Sequence, residues 1–202
     1  MSQAFEVKID EGQMADVRRM LADTKIMPGK VISRAINKTL SGVKTDASTE
    51  IRNVINATKK AVDANMSKTN ATIAKPSGFM TVKGKVLELG SFSPRQTNVG
   101  VTVTIYKAKG AQKFVSAFVA TMPSGHKSVY RREYKGTPVG KPVRRPWKKF
   151  GEKYRLPIRP LYGPNLATIM ESYPVMTPVM AKAGDRIQTN LEHELDFEMS
   201  KL

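Results

Sequence analysis

Apolar residues recur at helical spacing in two stretches near the N-terminus. Met14, Val17, Met20 and Leu21 come first and predict a short helix over about 11–24. Met27-Pro28-Gly29 then breaks the pattern. After it, Ile32, Ile36, Leu40, Val43, Ala47, Ile51, Val54 or Ile55, Thr58 and Val62 step by three or four residues throughout. That run predicts one amphipathic helix over 30–63, roughly 50 Å long at ~1.5 Å per residue. So long a helix exceeds what a small domain can cover. Either it packs across a sheet with one end free, or its extra length packs on a neighbouring subunit.

The period changes in the middle of the chain. Phe79, Met80, Val82, Val86, Leu87 and Leu89 form a strand-like region split by Gly84. Val99, Val101, Val103 and Ile105 alternate with Gly100, Thr102 and Thr104, the clearest period-two segment of the chain. Phe114 to Met122 is a third β-rich run, and Ser128 to Tyr134 a fourth. Turn residues separate them at 91–98, 109–110 and 123–125. The pattern predicts an antiparallel meander with one polar face. Apolar periodicity is then lost between 135 and 151, where six glycines and prolines alternate with Lys141, Arg144, Arg145, Lys148 and Lys149. This predicts an exposed basic arm that orders on contact. Helical signals return at the end. Pro164 suits the first turn of a helix over Asn165 to Ser172, and Pro174 and Pro178 suit the start of another. Val179, Ala183, Ile187, Leu191, Leu195 and Met199 carry that second helix towards the terminus.

The fold class that follows is α+β. An antiparallel sheet or meander packs with a long N-terminal amphipathic helix and C-terminal helices, and an extended basic arm projects from it. We read one domain over 1–202, in five successive segments. These are an N-terminal helical segment (1–27), the long helix (28–63), the sheet (64–134), the arm (135–155), and an extended segment with the C-terminal helices (156–202).

Charge adds a statement about partners. Lysine and arginine total 34 against 17 acidic residues, a net +17. Such a surplus attracts nucleic acid, anionic membrane or acidic protein surfaces. It is uneven: 12 basic and 2 acidic residues lie in 125–159, whereas 3 basic and 6 acidic residues lie in 160–202. Complementary ends suit subunits that meet head to tail, and solvated faces would have the same composition.

The absence of cysteine excludes disulfide and thiolate chemistry. Charged residues interrupt the first 30 positions, and no run approaches the ~18 apolar residues of a membrane span. A chain made and kept in the host cytoplasm, with no membrane partner, is the expectation, unless a larger assembly carries it out.

Candidate chemistry is thin. The two histidines are His126 and His193. The stretch Glu192-His193-Glu194-Leu195-Asp196 has metal-binding residue types, but on a helix they point in different directions. No phosphate-binding glycine loop and no nucleophile elbow occurs. Glu133 and Glu152 are the only carboxylates in 125–159, so the basic segment lacks convergent acids for hydrolysis. The reading is a non-enzyme with no catalytic residues, cofactor or metal.

Three stretches resemble the phage minor tail protein Z family, also called tail completion proteins. The first is Val31-Ile32-Ser33-Arg34-Ala35-Ile36-Asn37-Lys38-Thr39. The second is Ala117-Phe118-Val119-Ala120-Thr121-Met122-Pro123-Ser124-Gly125-His126, followed by Val129-Tyr130-Arg131-Arg132. The third is Leu156-Pro157-Ile158-Arg159-Pro160-Leu161-Tyr162-Gly163-Pro164. Their order and spacing match as well, over roughly 28–172; the segment 135–153 is longer and more basic than the family pattern. The resemblance implies a structural virion protein at the head-proximal end of a long tail, the neck or head–tail junction. It implies a homo-oligomeric ring around the DNA channel, commonly a hexamer. Its partners would be the tail terminator and the head–tail adaptor or connector proteins of the same virion, with non-specific contact to DNA in the channel. No family catalytic residue exists to carry over.

The candidate interface or DNA-facing residues are His126, Lys127, Arg131, Arg132, Arg144, Arg145, Trp147, Lys148, Lys149, Arg155, Arg159 and Tyr162. Gly125 permits a tight turn before His126. Strand alternation puts Tyr130 and Arg132 on one face and Arg131 on the other. Those cations form either a solvated face or a contact to an acidic neighbour or DNA phosphate. Trp147 either anchors an interface or folds back on its own sheet. The prolines of 156–162 predict an extended chain over the sheet, with Arg159 held in an ion pair. The alternative function is a basic nucleic-acid-binding protein from another class, although no recognised nucleic-acid-binding motif appears.

Overall fold

The computed structural model describes residues 3–8, 11–22, 27–132 and 158–201. The arm 135–155 lies outside the described residues. In chain order the elements are β1 (Gln3–Lys8), α1 (Glu11–Met20), α2 (Pro28–Val54), α3 (Lys59–Asp63), β2 (Met66–Thr69), β3 (Ser77–Val82) and β4 (Val86–Glu88). Next come β5 (Arg95–Thr97), β6 (Gly100–Thr104), β7 (Ala111–Val115), β8 (Ala117–Thr121) and β9 (Lys127–Arg132). Last are β10 (Ile158–Pro160), β11 (Tyr162–Asn165), α4 (Leu166–Glu171) and α5 (Tyr173–Met199). The fold is α+β, and the strands of its three larger sheets pair antiparallel throughout. It differs from a single meander: the strands divide into four small sheets, ordered β1-β3-β2, β10-β9-β8, β11-β4 and β5-β6-β7.

The chain gathers into two compact units, each assembled from separated stretches. Unit 1 comprises 1–53, 62–85 and 165–202; unit 2 comprises 54–61 and 86–164.

Unit 1 is organised by α2. Its buried face runs Val31, Ile32, Ala35, Ile36, Leu40, Val43, Ala47 and Ile51, each at most 2% exposed. Burying such a stripe is the main stabilising term for an amphipathic helix. β3 offers Met80 and Val82 to this core. At Gly78 a side chain would collide with Leu40, since an added Cβ would lie 2.4 Å from its Cδ1. The bare backbone there lets helix and strand approach closely.

α5 packs on the same unit through Val175, Val179, Ala183 and Leu191, four residues apart near its N-terminus. Asn165 caps α4, its side chain accepting from the Ala167 N–H at 2.9 Å. Pro164 therefore lies within β11, one residue before the cap, where the sequence pattern puts it in the first helical turn. Pro174 sits in the first turn of α5 as expected, while Pro178 lies inside the helix.

α2 and α5 are joined by a ladder of polar contacts in antiparallel register. Glu198 receives Arg34 at 2.6 Å and Lys30 at 3.3 Å. Glu194 pairs with Lys38 and with Arg34. The Asn190 side-chain amide donates to the Thr39 hydroxyl at 2.9 Å. Arg186 reaches Asp46 at 3.0 Å, and Lys182 reaches Glu50 at 2.7 Å. The sign of the pairs inverts halfway. Burial pushes the Glu198 carboxyl up, but the Lys30 hydrogen bond and the charges of Lys201 and Lys30 outweigh it, and the group ends below the ordinary 4.5. Hydrogen bonds from Lys182 and Asn53 likewise hold Glu50 below 4.5.

The single helix expected over 30–63 ends at Val54. Beyond it the backbone finds other partners: Ile55 bridges Tyr106, the Asn56 N–H donates to the Ile105 carbonyl, and the Thr58 N–H donates to the Ser91 carbonyl. The periodic residues Ile55 and Val62 are still fully buried, which is why the pattern continues past the break. The apolar run at 114–122 is also two strands. Ser116 takes a left-handed conformation, φ 61°, and donates its N–H to Val99, so the chain turns a corner between β7 and β8. The expected N-terminal helical segment opens instead on β1, where Phe5 and Val7 alternate with Glu6 and Lys8 over a stretch too short to stand out, and β2, with one apolar residue, gives no pattern at all.

Truncating Leu40 to Ala empties a fully buried site and should cost about 2–5 kcal/mol in a denaturant titration. The two depressed carboxylates give an acid dependence. Their stabilisation is full above about 4.5, the unfolded value, and is lost as pH falls through their lower folded values. The denaturation midpoint should therefore drop as pH falls from about 5 to about 3. The Glu50→Gln/Glu198→Gln variant should be less stable near neutrality and flatter across that window.

A candidate interaction surface on unit 2

The core of unit 2 contains Leu89, Phe92, Val101, Val103 and Val129, all at most 1% exposed. Around it, the described residues of this unit carry ten basic side chains and one carboxylate, Glu88. The described residues of unit 1 carry 15 basic and 12 acidic ones. The surplus of the chain is thus concentrated on one folded body.

The β8-β9-β10 sheet gathers several of the expected residues. β8 turns into β9 through Met122–His126. Gly125 there has φ 79°, and the Met122 N–H donates to the His126 carbonyl at 2.8 Å. This is the tight turn its sequence predicts. His126 Nε2 then meets Glu88 Oε2 of β4 at 2.5 Å, and the His126 side chain is half-exposed. Lys127 follows, exposed, at the head of β9.

Tyr130 pairs with Phe118 across the strands, their ring centroids 6.3 Å apart. The Arg132 guanidinium lies 5.4 Å from the centre of the Phe118 ring. Tyr130, Phe118 and Arg132 therefore share one face, matching the strand alternation. Arg131 turns the other way and donates to the Val115 carbonyl at 3.3 Å, while its Nε is buried with no hydrogen-bond partner. Burial, then the negative charges of Glu88 and Tyr162, push the Tyr130 phenol above its ordinary 10.0.

β10 pairs with β9, placing Arg159 opposite Arg131 and Pro160 opposite Tyr130. The 158–160 segment is extended, as its prolines predict, but it pairs with β9 as an edge strand and does not lie over the sheet. Arg159 is exposed on β10, and Tyr162 is 52% exposed on β11. So the structure brings His126, Lys127, Arg131, Arg132, Arg159 and Tyr162 into unit 2. Arg144, Arg145, Trp147, Lys148, Lys149 and Arg155 lie outside the described residues. Glu88 was missed by the sequence reading. It lies 38 positions before its histidine partner, and no local pattern links them.

On α5, Glu194 is turned inward to Lys38 and Arg34 whereas His193 is exposed. Among the described residues, no group of three or more histidines and carboxylates is placed to hold a metal ion. Also among the described residues, no helix is long and apolar enough to cross a membrane. No family model, curated protein or solved structure matches the chain.

The Tyr130 shift predicts an alkaline dependence. Its stabilisation is full below 10.0, the unfolded value, and disappears as pH rises through the raised folded value. Denaturation midpoints followed from about pH 8 to about 11 should fall less steeply in Tyr130→Phe than in the native chain.

Proposed function

We propose that the chain is a structural, non-enzymatic virion protein of a tailed bacteriophage. It acts as a minor tail or tail completion protein at the head-proximal end of the tail. It works by ring assembly and by contacts with neighbouring proteins around the DNA channel, where the tail terminator and the head–tail adaptor or connector are its partners.

One observation carries this reading. The two most specific of the resembling stretches are separated in sequence by residues 133–155, yet their described parts converge. Residues 117–126 and 129–132 build β8, its turn and β9, and 158–164 add β10 and enter β11. These two stretches thus meet on the β8-β9-β10 sheet of unit 2. That sheet displays cations beside the half-buried Phe118 ring, and arginine and aromatic residues are the types that anchor interfaces between subunits. The ladder on α2 and α5 supports the same role from the other unit, since a ring subunit needs a body that keeps its shape under load.

The test is the mass of the purified protein in solution, alone and then mixed with intact tails. A ring-sized oligomer is expected, or a monomer that joins tails only at their head-proximal end. A stable monomer that ignores tails, and is missing from virions by mass spectrometry, would end the proposal.

A further inference from the structure

The β5-β6-β7 sheet has one apolar face and one face of a different kind. Val101 and Val103 point inward, 0% and 1% exposed. On the outer face, Arg95 stands opposite Thr102, and Thr102 opposite Lys113. Paired residues share a face and neighbouring strands lie about 5 Å apart. The two cations therefore flank Thr102 at roughly 10 Å across the backbone, and both are exposed.

The next rows of this face hold Thr97, Gly100 and Val115 on one side, and Thr104 and Ala111 on the other. No carboxylate stands on these strands. Beyond Thr104, the connection to β7 adds the exposed Lys107 and Lys109.

Two like charges flanking one threonine gain nothing from each other. The one carboxylate among the described residues of this unit, Glu88, meets His126 on a different sheet. Among the described residues of this unit, no anion complements the row, and a partner can supply one. The face supplies cations and hydroxyl groups, with only Ala111 and Val115 as apolar neighbours. Protein interfaces are centred on buried aromatic, methionine or arginine anchors packed in apolar surroundings. Phosphate backbones are held by Arg, Lys and Thr side chains. No aromatic ring stands on the outer face of these three strands, and Tyr106 beyond Thr104 has Lys109 over its ring at 5.1 Å, so contact is confined to the backbone.

We infer that the outer face of the β5-β6-β7 sheet binds the phosphate backbone of nucleic acid without reading its sequence, through Arg95 and Lys113 with Thr102 between them. The inference does not rest on the assembly role above and stands or falls separately from it.

The test uses the full chain and fluorescently labelled duplex DNA of several sequences. Anisotropy titrations run from about 50 to about 300 mM salt. Neutralising each phosphate contact contributes about one unit to the slope of log affinity against log salt. Arg95→Ala/Lys113→Ala should bind more weakly at every salt concentration, with a slope shallower by about two, equally for every sequence. Lys75→Ala/Lys83→Ala removes the same charge from exposed positions of unit 1 and should leave the slope unchanged.

Equal slope changes in both double variants would assign the effect to net charge and overturn the inference. So would an unchanged slope in the first, or displacement of DNA by polyglutamate at matched charge, which would point to an acidic protein partner. Thermal melts followed by circular dichroism should show the first variant folded, because both side chains are exposed. If it melts early, Arg95→Gln and Lys113→Gln singly, each expected to lower the slope by about one, decide the matter.

Discussion

The register between α2 and α5 is the constraint on which unit 1 depends. Each step forward along α2 is matched by an equal step back along α5, from Arg34 and Glu198 through Lys38 and Glu194 to Asp46 and Arg186, then Glu50 and Lys182. The apolar stripe of α2 makes the helix stick; the ladder decides where. Along the ladder, both helices present cations first and anions after them: Lys30, Arg34 and Lys38 before Asp46 and Glu50, and Lys182 and Arg186 before Glu194 and Glu198. An antiparallel arrangement pairs opposite signs along the whole contact, and a parallel one would set cation against cation. The cost is the burial of Glu194 and Glu198, whose side chains are 4% and 6% exposed. Buried carboxylates persist only when paired, and each of these meets two cations of α2.

The two units use charge in opposite ways. Unit 1 pairs its charges internally and so converts them into register and shape. The described residues of unit 2 include one carboxylate, Glu88, so its ten cations are not balanced by acids in the same way. On β6 and β7 the alternation of strands sends every second side chain outward, whereas β9 buries Ser128, Val129 and Tyr130 in succession and exposes its ends. A basic composition on short antiparallel strands therefore becomes a basic surface. The same fact underlies the proposed assembly role and the phosphate-binding face, although different sheets carry them.

Much of this fold was legible because local periodicity is a consequence of burial. The α2 stripe from Ile32 to Ile51, the alternation of Val101 and Val103, and the Gly125 turn all follow from nearest neighbours along the chain. The failures share one cause. Ile55 and Val62 kept helical spacing while the backbone left the helix, because a buried residue reports that it is buried and not by which element. At Ser116 an apolar run crossed a corner without changing composition. The candidate surface was legible in part. His126, Lys127, Arg131 and Arg132 are local to one hairpin and were found together. Glu88, Arg95 and Lys113 were not, since their roles depend on strands that meet from distant parts of the chain.

By itself the sequence determined the α+β class, the long amphipathic helix, the approximate edges of β6 and β9 and the large positive charge. These depend on spacing and counting, which a linear chain displays in full. The tertiary structure alone decided that the strands divide into four sheets, that 54–61 joins 86–164, and that the cations gather on one unit while the other balances its own. It alone set α5 against α2 in register and put Arg95 and Lys113 on either side of Thr102. Pairing between distant residues is a property of the folded chain, because the free energy that selects it comes from surfaces that exist only after the elements have met.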